Sequence, residues 1–364
     1  MSGAPRPAPD AEPCSLLGAW LLDACSPREK AAVAAHVEHC ADCSAEARDL
    51  YPAVAALAGP PRGEVPATSR TASDGVTSLA FARRPPSPRG LPLHLHPYLD
   101  QVATLDAVLR DLDDAEWHEQ PVADWTVAQL VAHLAATDSL LAASLDARAR
   151  GPLDLPGDTV SARTHAFTTW AAGQSPAAVH AAWRAQADLL RDVLAGPPGR
   201  GNAPRKDGGR ASAERRVALP GEAPLTVADH TAGRAFETWI HTRDIALSTG
   251  RRLPPPTARS LARMSDLGVR LLPLALRARG TPLGERALSV ELTGPGGGSW
   301  LLTDPGHDRP PGPPDARLVL AAVDFCLRTG DRHTPAETVA RTRVTGDPAL
   351  AEAALAAASA FAGP

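Results

Sequence analysis

Apolar residues recur at intervals of three and four positions along much of this chain, which is the period of an amphipathic α-helix. The segment from Tyr98 to Leu112 is one example, with apolar side chains at Val102, Leu105 and Val108. Four such helices joined by long connections predict a four-helix bundle, in which facing helices can build a metal site in the core. The other three helical patterns cover Thr126–Arg148, Pro176–Leu194 and Thr226–Leu247.

Local signals indicate where one bundle helix begins and where the helical pattern is interrupted. Thr126 is followed three residues later by Gln129, the arrangement of a capping box at a helix start. The segment from Val193 to Gly221 holds a stretch rich in Gly and Arg, which we expect to be disordered, before the fourth helix.

The last part of the chain mixes helical and strand patterns, which predicts a small α+β domain. Thr257–Arg279 is predicted to be a helix, and two alternating segments are predicted to be strands joined by a glycine-rich turn. These strands are Ala287–Leu292 and Ser299–Leu302, and the pattern further predicts helices at Arg317–Leu327 and Pro348–Phe361 and a strand at Thr342–Thr345.

The first part of the chain predicts a separate small helical unit. A short apolar helix over Ser15–Ala24 is followed by a helix start in which Ser26 is the N-cap and Pro27 the first helical residue. This second helix is expected to run to about His39, and a further helix is predicted over Ser44–Leu57.

Length, charge and cysteine content narrow the class of protein. A chain of 364 residues is too long for one ordinary domain, and a net charge of −4 gives no general attraction to nucleic acids or anionic membranes. No signal peptide is visible, and no run approaches the ~18 apolar residues needed to span a bilayer. We therefore expect a cytoplasmic protein without direct nucleic-acid or membrane partners, whose five cysteines stay reduced.

A cluster of cysteine and histidine in the first unit has the spacing of metal ligands. His36 and Cys40 lie one helical turn apart, and Cys43 follows three residues later, so that the chain turns around an ion. A closed structural zinc site needs four nitrogen or sulfur ligands, and Cys14 at the start of the preceding helix is the natural fourth. Cys25 precedes a turn and is less well placed.

This segment resembles the zinc-binding anti-sigma factor family in its His-x3-Cys-x2-Cys signature and in the flanking residues Leu17–Ala24 and Ser26–Glu29. The resemblance covers roughly residues 14–57 and implies a cytosolic domain that binds an extracytoplasmic-function sigma factor. In some members of the family the zinc cysteines act as a thiol redox switch, which suits a cluster of thiolates. The alternatives are a metal-free helical hairpin and a zinc domain that no longer binds a sigma factor.

A second group of metal-binding residue types lies in the predicted bundle. Glu237 and His241 are four residues apart, so on a helix both side chains lie on one face. His133 comes from a separate helical segment. Two imidazoles and one carboxylate leave a divalent ion with an open position, as in catalytic sites. Taken alone, a glutamate and a histidine four residues apart are commonly an exposed contact on a helix surface. A single histidine such as His133 is commonly a core residue whose ring is hydrogen-bonded within the protein.

The segments that carry these residues, Asp124–Leu134 and Glu237–Ala246, together resemble the mycothiol-dependent maleylpyruvate isomerase family, a DinB-like metal-binding four-helix bundle. The resemblance covers about residues 94–360. It implies that His133, Glu237 and His241 hold a divalent metal, usually zinc, and that mycothiol supplies a reactive sulfur.

The chain departs from this family near the site. It reads Ile240-His241-Thr242-Arg243-Asp244 where the family often has Val-His-Gly-Trp-Asp, so the substrate-site residues need not be the same. Asp244, three residues beyond His241, is a candidate acceptor that orients the imidazole, or else a helix-end charge that pairs with a neighbouring arginine. Two histidines and a carboxylate also suit non-haem iron, so the metal stays open.

The predicted architecture is therefore mostly α-helical: a disordered N-terminus at 1–13, an anti-sigma-like zinc-binding domain at 14–59, a linker at 60–93, a DinB-like four-helix bundle at 94–252 and an α+β domain at 253–364. Three functions fit it. The protein is a regulator that binds a sigma factor and senses or processes a thiol or electrophile, a mycothiol-dependent isomerase or thiol transferase with an accessory zinc domain, or a scaffold that holds metal only for stability.

Overall fold

The computed structural model of this protein describes residues 13–21, 25, 27–47, 50, 91–149, 151–196, 213–219, 224–304 and 312–360. The chain divides into two compact units, Met1–Ser87 and Pro88–Pro364. The predicted linker lies almost entirely outside the described residues, as do the predicted disordered N-terminus up to residue 12 and the predicted helix Ser44–Leu57 beyond residue 50. The predicted domain limits stay predictions.

The first unit consists of short helices around a very small core. A 3-10 helix at Pro13–Leu16 leads into α1 (Leu17–Leu21), and α2 spans Pro27–His39, with both ends of α2 as predicted. Residues 41–47 are helical. A core this small provides little hydrophobic stabilisation, and domains of this kind are commonly held together by a structural metal. The buried apolar side chains described here are Leu17, Val33, Cys43 and Ala47.

The second unit begins with the predicted bundle. Each of the four predicted helices is present, together with one additional helix, α5. The helices are α3 (His96–Arg110), α4 (Val127–Leu145), α5 (Val160–Ala171), α6 (Pro176–Ala195) and α7 (Val227–Ser248). The helix α4 packs against α6 and α7, α3 packs against the same two helices, and α5 packs on α4.

The start of α4 confirms the predicted capping box. The Gln129 amide donates to the Thr126 hydroxyl at 3.2 Å, and the Thr126 amide donates to Oε1 of Gln129 at 3.0 Å. Most of the predicted disordered stretch within Val193–Gly221 lies outside the described residues, and near its end Arg216–Val217 forms β1, which pairs antiparallel with β2 at Leu225–Thr226.

The remainder of the second unit is an α+β layer with four strands and four helices among its described residues. These elements are α8 (Ala258–Ala278), β3 (Leu288–Thr293), β4 (Gly298–Leu302), β5 (Ala316–Ala321), α9 (Ala322–Thr329), α10 (Pro335–Arg341), β6 (Arg343–Gly346) and α11 (Pro348–Ala357). The strands form one sheet in the order β4-β3-β5-β6, in which the β3–β4 and β5–β6 pairs are antiparallel and the central β3–β5 pair is parallel. The helix α8 packs against α3 and α7 of the bundle, and also against β4, α9 and α11.

The predicted helix at Arg317–Leu327 is wrong in its first half. Residues up to Ala321 form β5, because Ala316, Leu318 and Leu320 alternate into the core and pair in register with β3, and only then does α9 begin. The predicted strands at Ala287–Leu292 and Ser299–Leu302 are confirmed to within one residue at their ends.

Contacts of α8 join the α+β layer to the bundle. Ser260 of α8 donates to Asp100 of α3 at 3.0 Å, and α8 also packs against α7. Within the bundle, Arg251, which follows α7, donates to Asp111 at 2.9 Å and to Glu116 at 2.6 Å. The bundle and the α+β layer are therefore parts of one compact unit.

One described helix, α4, has the length and apolar character of a membrane span. The sequence analysis predicts no membrane-spanning helix at this position. Most of its residues are buried against the other helices, including Leu130, Leu134 and Leu141, which is typical of the central helix of a bundle core.

Candidate metal centres

The side chains of His133, Glu237 and His241 converge in the bundle core. The first comes from the middle of α4 and the other two from one face of α7, and one ligand atom of each lies within 4.8 Å of the others. His133 and His241 are buried, and their rings meet nearly edge to face with centroids 5.6 Å apart. The structure thus brings together all three residues that the sequence predicted for this site.

A hydroxyl group orients the ring of His133. Its Nδ1 atom lies 3.0 Å from Oγ1 of Thr164 on α5, which leaves Nε2 directed into the centre of the cluster. This Nε2 atom is buried and has no hydrogen-bond partner of acceptable geometry among the described residues, although Oε1 of Glu237 lies 2.6 Å away. A buried nitrogen without a hydrogen bond, next to a carboxylate oxygen, fits two ligands directed at a common ion.

The carboxylate of Glu237 is held by an arginine one helical turn before it. Arg234 donates to Oε2 of Glu237 through Nη1, so Oε1 remains on the side of His133. Burial acts to raise the pKa of Glu237, but the charge of Arg234 and then the neighbouring His133 hold that pKa well below its usual value. The carboxylate is therefore ionised, as a metal ligand must be.

Arg234 is itself part of a buried network. Its Nε donates to Oδ1 of Asp138 at 2.7 Å, and the hydroxyl of Tyr98 donates to Oδ2 of the same carboxylate at 2.5 Å. Burial acts to lower the pKa of Arg234, but Glu237 and Asp138 raise it above its ordinary value. The guanidinium therefore stays charged between two carboxylates from two helices.

The other imidazole is oriented from the α+β layer. Nδ1 of His241 lies 3.3 Å from Oδ2 of Asp244, and the guanidinium of Arg332 donates to both oxygens of Asp244, with Nε at 3.0 and 3.2 Å. Burial lowers the pKa of His241, so its imidazole is neutral at neutral pH. Asp244 thus lies where an orienting acceptor was predicted, and its ion pair is with Arg332 and not with a neighbouring arginine of its own helix.

The donor set fits a divalent cation. Two imidazoles and one ionised carboxylate are ligands of the kind that zinc accepts, and each has an outer partner that fixes its orientation. Arg234 donates to both Asp138 and Glu237, so with both carboxylates ionised the three side chains carry one net negative charge. A dication therefore leaves one unit of positive charge at the site, which favours an anionic ligand in an open position.

The cluster lies in the wall of a cavity of about 590 Å³. This volume is in the range of sites for drug-sized ligands. The helices α7 and α8 provide most of its lining, together with side chains of the β1–β2 region and of the segment that follows α9. His230, seven residues before Glu237 on α7, also lines the cavity and is buried, with Nε2 2.9 Å from the Val217 carbonyl oxygen.

In the first unit, Cys14, His36 and Cys43 form a second cluster. The Cys14 sulfur lies 3.0 Å from Nε2 of His36 and 3.4 Å from the Cys43 sulfur, and the Cys43 sulfur lies 3.4 Å from the same Nε2. Ligand atoms at about 2.3 Å from a tetrahedral zinc are separated by roughly 3.5–3.8 Å, so this spacing is close to that of a zinc site. All five cysteines of the chain are free thiols.

Cys40, the remaining residue of the predicted ligand set, lies beside this cluster and is hydrogen-bonded to Cys43. Hydrogen bonds from the Cys43 amide and thiol lower the pKa of Cys40, whereas the contact with Cys14 and burial raise the pKa of Cys43 to about 12. The structure does not place Cys40 among the three mutually adjacent ligand atoms. Cys25 faces the Leu16 carbonyl oxygen at 3.9 Å, and His39 is turned to the Ala35 carbonyl at 2.8 Å.

Five side chains that hold the bundle site were missed by the sequence reading. Four of them act over long sequence separations, and no local spacing marks them. Arg234 is the exception, because it is one turn before Glu237 and could have been found as its ion-pair partner. The missed residues are Tyr98, Asp138, Thr164, Arg234 and Arg332.

A bundle with two histidines and a glutamate at its core, preceded by a small cysteine- and histidine-containing unit, defines a chain with two candidate metal centres. Comparison with known proteins gives its family. Residues 98–246 match the family model described as "Mycothiol maleylpyruvate isomerase N-terminal domain", and residues 14–44 match the one described as "Putative zinc-finger". The chain belongs to the mycothiol maleylpyruvate isomerase family and carries an anti-sigma-type zinc-finger domain in front of it. Both resemblances predicted from the sequence are confirmed.

Similar proteins include an uncharacterized protein of Mycobacterium tuberculosis, found in strains CDC 1551 and H37Rv. It is 30% identical over 243 residues, which cover 63% of this chain and 81% of the relative. Two solved structures of a mycothiol-dependent maleylpyruvate isomerase, one of them a mutant, are each 14% identical to this chain. The mutant has a TM-score of 0.45 and covers 70% of this chain and 92% of its own, and the other has a TM-score of 0.43 with 67% and 90%.

We expect the bundle to bind one divalent ion through its three ligands. His241→Ala or His133→Ala should remove one equivalent of zinc from the purified protein, and Asp244→Ala should weaken zinc binding by about 10–100-fold, because the imidazole of His241 loses its orienting acceptor. Metal analysis and competition with a chelating indicator measure both effects. The matched control is His118→Ala at an exposed histidine outside the cluster, and equal zinc content in His241→Ala and His118→Ala would rule out this site.

We expect a second equivalent of zinc in the first unit. Cys43→Ser should remove it, whereas Cys25→Ser should not, because Cys25 lies outside the cluster. Cys40→Ser decides the fourth ligand: loss of the thiolate-to-cobalt absorption intensity of the cobalt-loaded protein assigns Cys40. Loss of zinc in Cys25→Ser with retention in Cys40→Ser would contradict the predicted ligand set.

Proposed function

We propose that the bundle binds a divalent metal and uses the open position of that metal to bind a low-molecular-weight thiol, in a cytoplasmic regulatory protein whose first unit is a zinc domain. The observation that carries this proposal is that His133, Glu237 and His241 converge in the wall of a large cavity. A purely structural metal site is closed by four protein ligands, whereas three ligands beside a cavity suit the binding of a further molecule.

The metal, when bound, would lower the pKa of a thiol at its open position, so that a thiolate exists at neutral pH. The protein's own residues prepare the site. His133, Glu237 and His241 would hold the ion, Asp244 fixes the ring of His241, and the buried pair of Arg234 and Asp138 fixes the carboxylate.

We propose that the sulfur comes from outside the chain. Cys326 is buried in α9, and burial raises the pKa of its thiol, so this thiol stays protonated and has no access to the site. The other four cysteines belong to the first unit. The matched family is described by its use of mycothiol, which supports mycothiol as the thiol in this proposal.

Thiol binding can be measured without knowing the second substrate. Titration of the zinc-loaded protein with mycothiol should give one binding event per chain, with release of about one proton near pH 7, because a thiol pKa that the metal lowers yields a thiolate. Calorimetry in two buffers of different ionisation enthalpy measures the proton. His241→Ala should weaken binding at least 100-fold while His118→Ala has no effect. Equal binding by both variants would refute the proposal.

The enzymatic form of the proposal is a mycothiol-dependent isomerase or thiol transferase. It requires turnover of an electrophile that depends on mycothiol and is lost in His241→Ala. The regulatory form requires only that the thiol or its adduct is bound and sensed, which needs a difference in affinity between two states of the protein.

A second candidate function concerns the first unit. We propose that it binds an extracytoplasmic-function sigma factor, supported by the match of residues 14–44 to the zinc-finger family and by the Cys14–His36–Cys43 cluster. A cytoplasmic location belongs to the same proposal, and the five free thiols support it because a reducing compartment keeps cysteines available to zinc.

A sigma factor encoded in the same genome should co-purify with the full chain in reducing, zinc-containing buffer. The complex should be lost in Cys43→Ser and His36→Ala, because both remove a zinc ligand, and retained in Cys25→Ser. Pull-down with each extracytoplasmic-function sigma factor, expressed separately, is the measurement. If none binds the wild-type chain under these conditions, the anti-sigma role is excluded.

A further inference from the structure

We propose that the cavity beside the bundle cluster accepts an uncharged, apolar cosubstrate and not a dicarboxylic acid. This inference rests on the proposed function in one respect, namely that the cavity holds the second reactant of the thiol. The selectivity itself follows from the lining of the cavity, which can be tested with or without metal.

Both arginines that line the cavity, Arg234 and Arg332, are already ion-paired with carboxylates of the protein. Arg234 is shared between Asp138 and Glu237, and its Nη2 donates to the Leu134 carbonyl oxygen at 3.3 Å. A ligand carboxylate would have to displace one of these buried partners and leave it uncompensated, which is costly in a low-dielectric interior.

Arg332 is committed in the same way. Its Nε and Nη2 donate to the carboxylate of Asp244, and its Nη1 donates to the Gly330 carbonyl oxygen at 2.6 Å. Because Asp244 also orients His241, withdrawing Arg332 to bind a substrate would disturb a predicted metal ligand. Both guanidinium groups of the described lining are therefore neutralised within the protein.

The other polar groups of the described lining also bond to the protein. The Thr137 hydroxyl donates to the His133 carbonyl oxygen at 3.2 Å, and the Thr329 hydroxyl donates to that of Phe325 at 3.0 Å. Asp229 accepts from Arg270 at 2.5 Å. Apart from the metal ligands, the described lining therefore offers a ligand mainly hydrocarbon.

The charge of the metal would be used by the thiolate. With Arg234, Asp138 and Glu237 together carrying one net negative charge, a dication would leave the site with one positive charge, and one bound thiolate would reduce it to zero. No positive charge then remains for a second anion, and even less for a dianion. An uncharged cosubstrate avoids this electrostatic cost.

The apolar walls and the volume agree with this choice. A cavity of about 590 Å³ is large compared with a short diacid, which would leave most of it to water held against hydrocarbon. A longer apolar chain would remove that surface from water. The apolar lining includes Leu219, Leu225, Phe236, Met264, Leu267 and Leu271.

The test is a matched series of ligands that differ in charge and chain length. Displacement of the neutral dye Nile red from the full chain, stripped of metal so that no ion attracts a carboxylate, is measured with succinate and with its dimethyl, diethyl and dibutyl esters. We expect affinity for the esters to rise about threefold to fourfold per added methylene group, and succinate to bind at least 100-fold more weakly than the dibutyl ester. Succinate binding as tightly as the esters, or esters that show no dependence on chain length, would overturn the proposal.

A matched pair of variants locates the ligand. Gly233 lies within α7 in the cavity wall, and a methyl group there would meet Leu267 at an ordinary 3.8 Å. Gly233→Leu should fill part of the cavity and weaken ester binding at least tenfold, whereas Gly233→Ala should leave it within about twofold. Circular dichroism verifies that both fold. Equal ester binding by the two folded variants would show that the ligand lies elsewhere and would overturn the proposal.

The outcomes separate this inference from the proposed function. Loss of zinc or mycothiol binding together with retained ester selectivity would refute the thiol function and leave the cavity assignment standing. Tight mycothiol binding together with a preference for succinate would refute the cavity assignment alone.

Discussion

The bundle site depends on a guanidinium group placed between two carboxylates inside the helical core. Glu237 cannot be ionised in that position without compensation, because an isolated buried carboxylate is far less stable than a hydrated one. Arg234 supplies the compensation, and its own burial is balanced by Asp138, to which Tyr98 donates a further hydrogen bond. The network spans three helices of the bundle, so the position of the metal-binding carboxylate is fixed by the packing of the fold.

The elements that the sequence predicted correctly are those with local signals. Thr126 and Gln129 form both bonds of a capping box, and Pro27 begins its helix, since each pattern is contained within a single turn. The errors arose where tertiary contacts decide. Arg317–Ala321 was predicted to be helical because it runs without a break into an apolar helix, yet its pairing with β3 makes it a strand. The helix Val160–Ala171 was not predicted at all, and its threonine-rich sequence has a weak apolar period.

The same distinction holds for the site. Spacing alone relates Glu237 to His241, and family resemblance was needed to add His133, because nothing local connects α4 with α7. The residues that orient these ligands could not be predicted from the sequence. Asp138 is 96 residues from Arg234, and Arg332 is 88 residues from Asp244, so their contacts follow only from the packed fold. Arg234 by contrast has the spacing of a surface ion pair, and only its burial shows that it holds the site.

The two clusters differ in how far the fold around each would depend on a bound ion for its stability. The first unit has four buried apolar side chains among its described residues, too few to stabilise a fold, so an ion bound there would contribute directly to folding. The bundle and the α+β layer share an extensive hydrophobic core that includes Leu130, Trp183 and Leu318. A fold with such a core does not require an ion for its stability. Two buried imidazoles, a partly buried carboxylate and a buried arginine beside a cavity therefore support the proposed binding of a further molecule over the scaffold function.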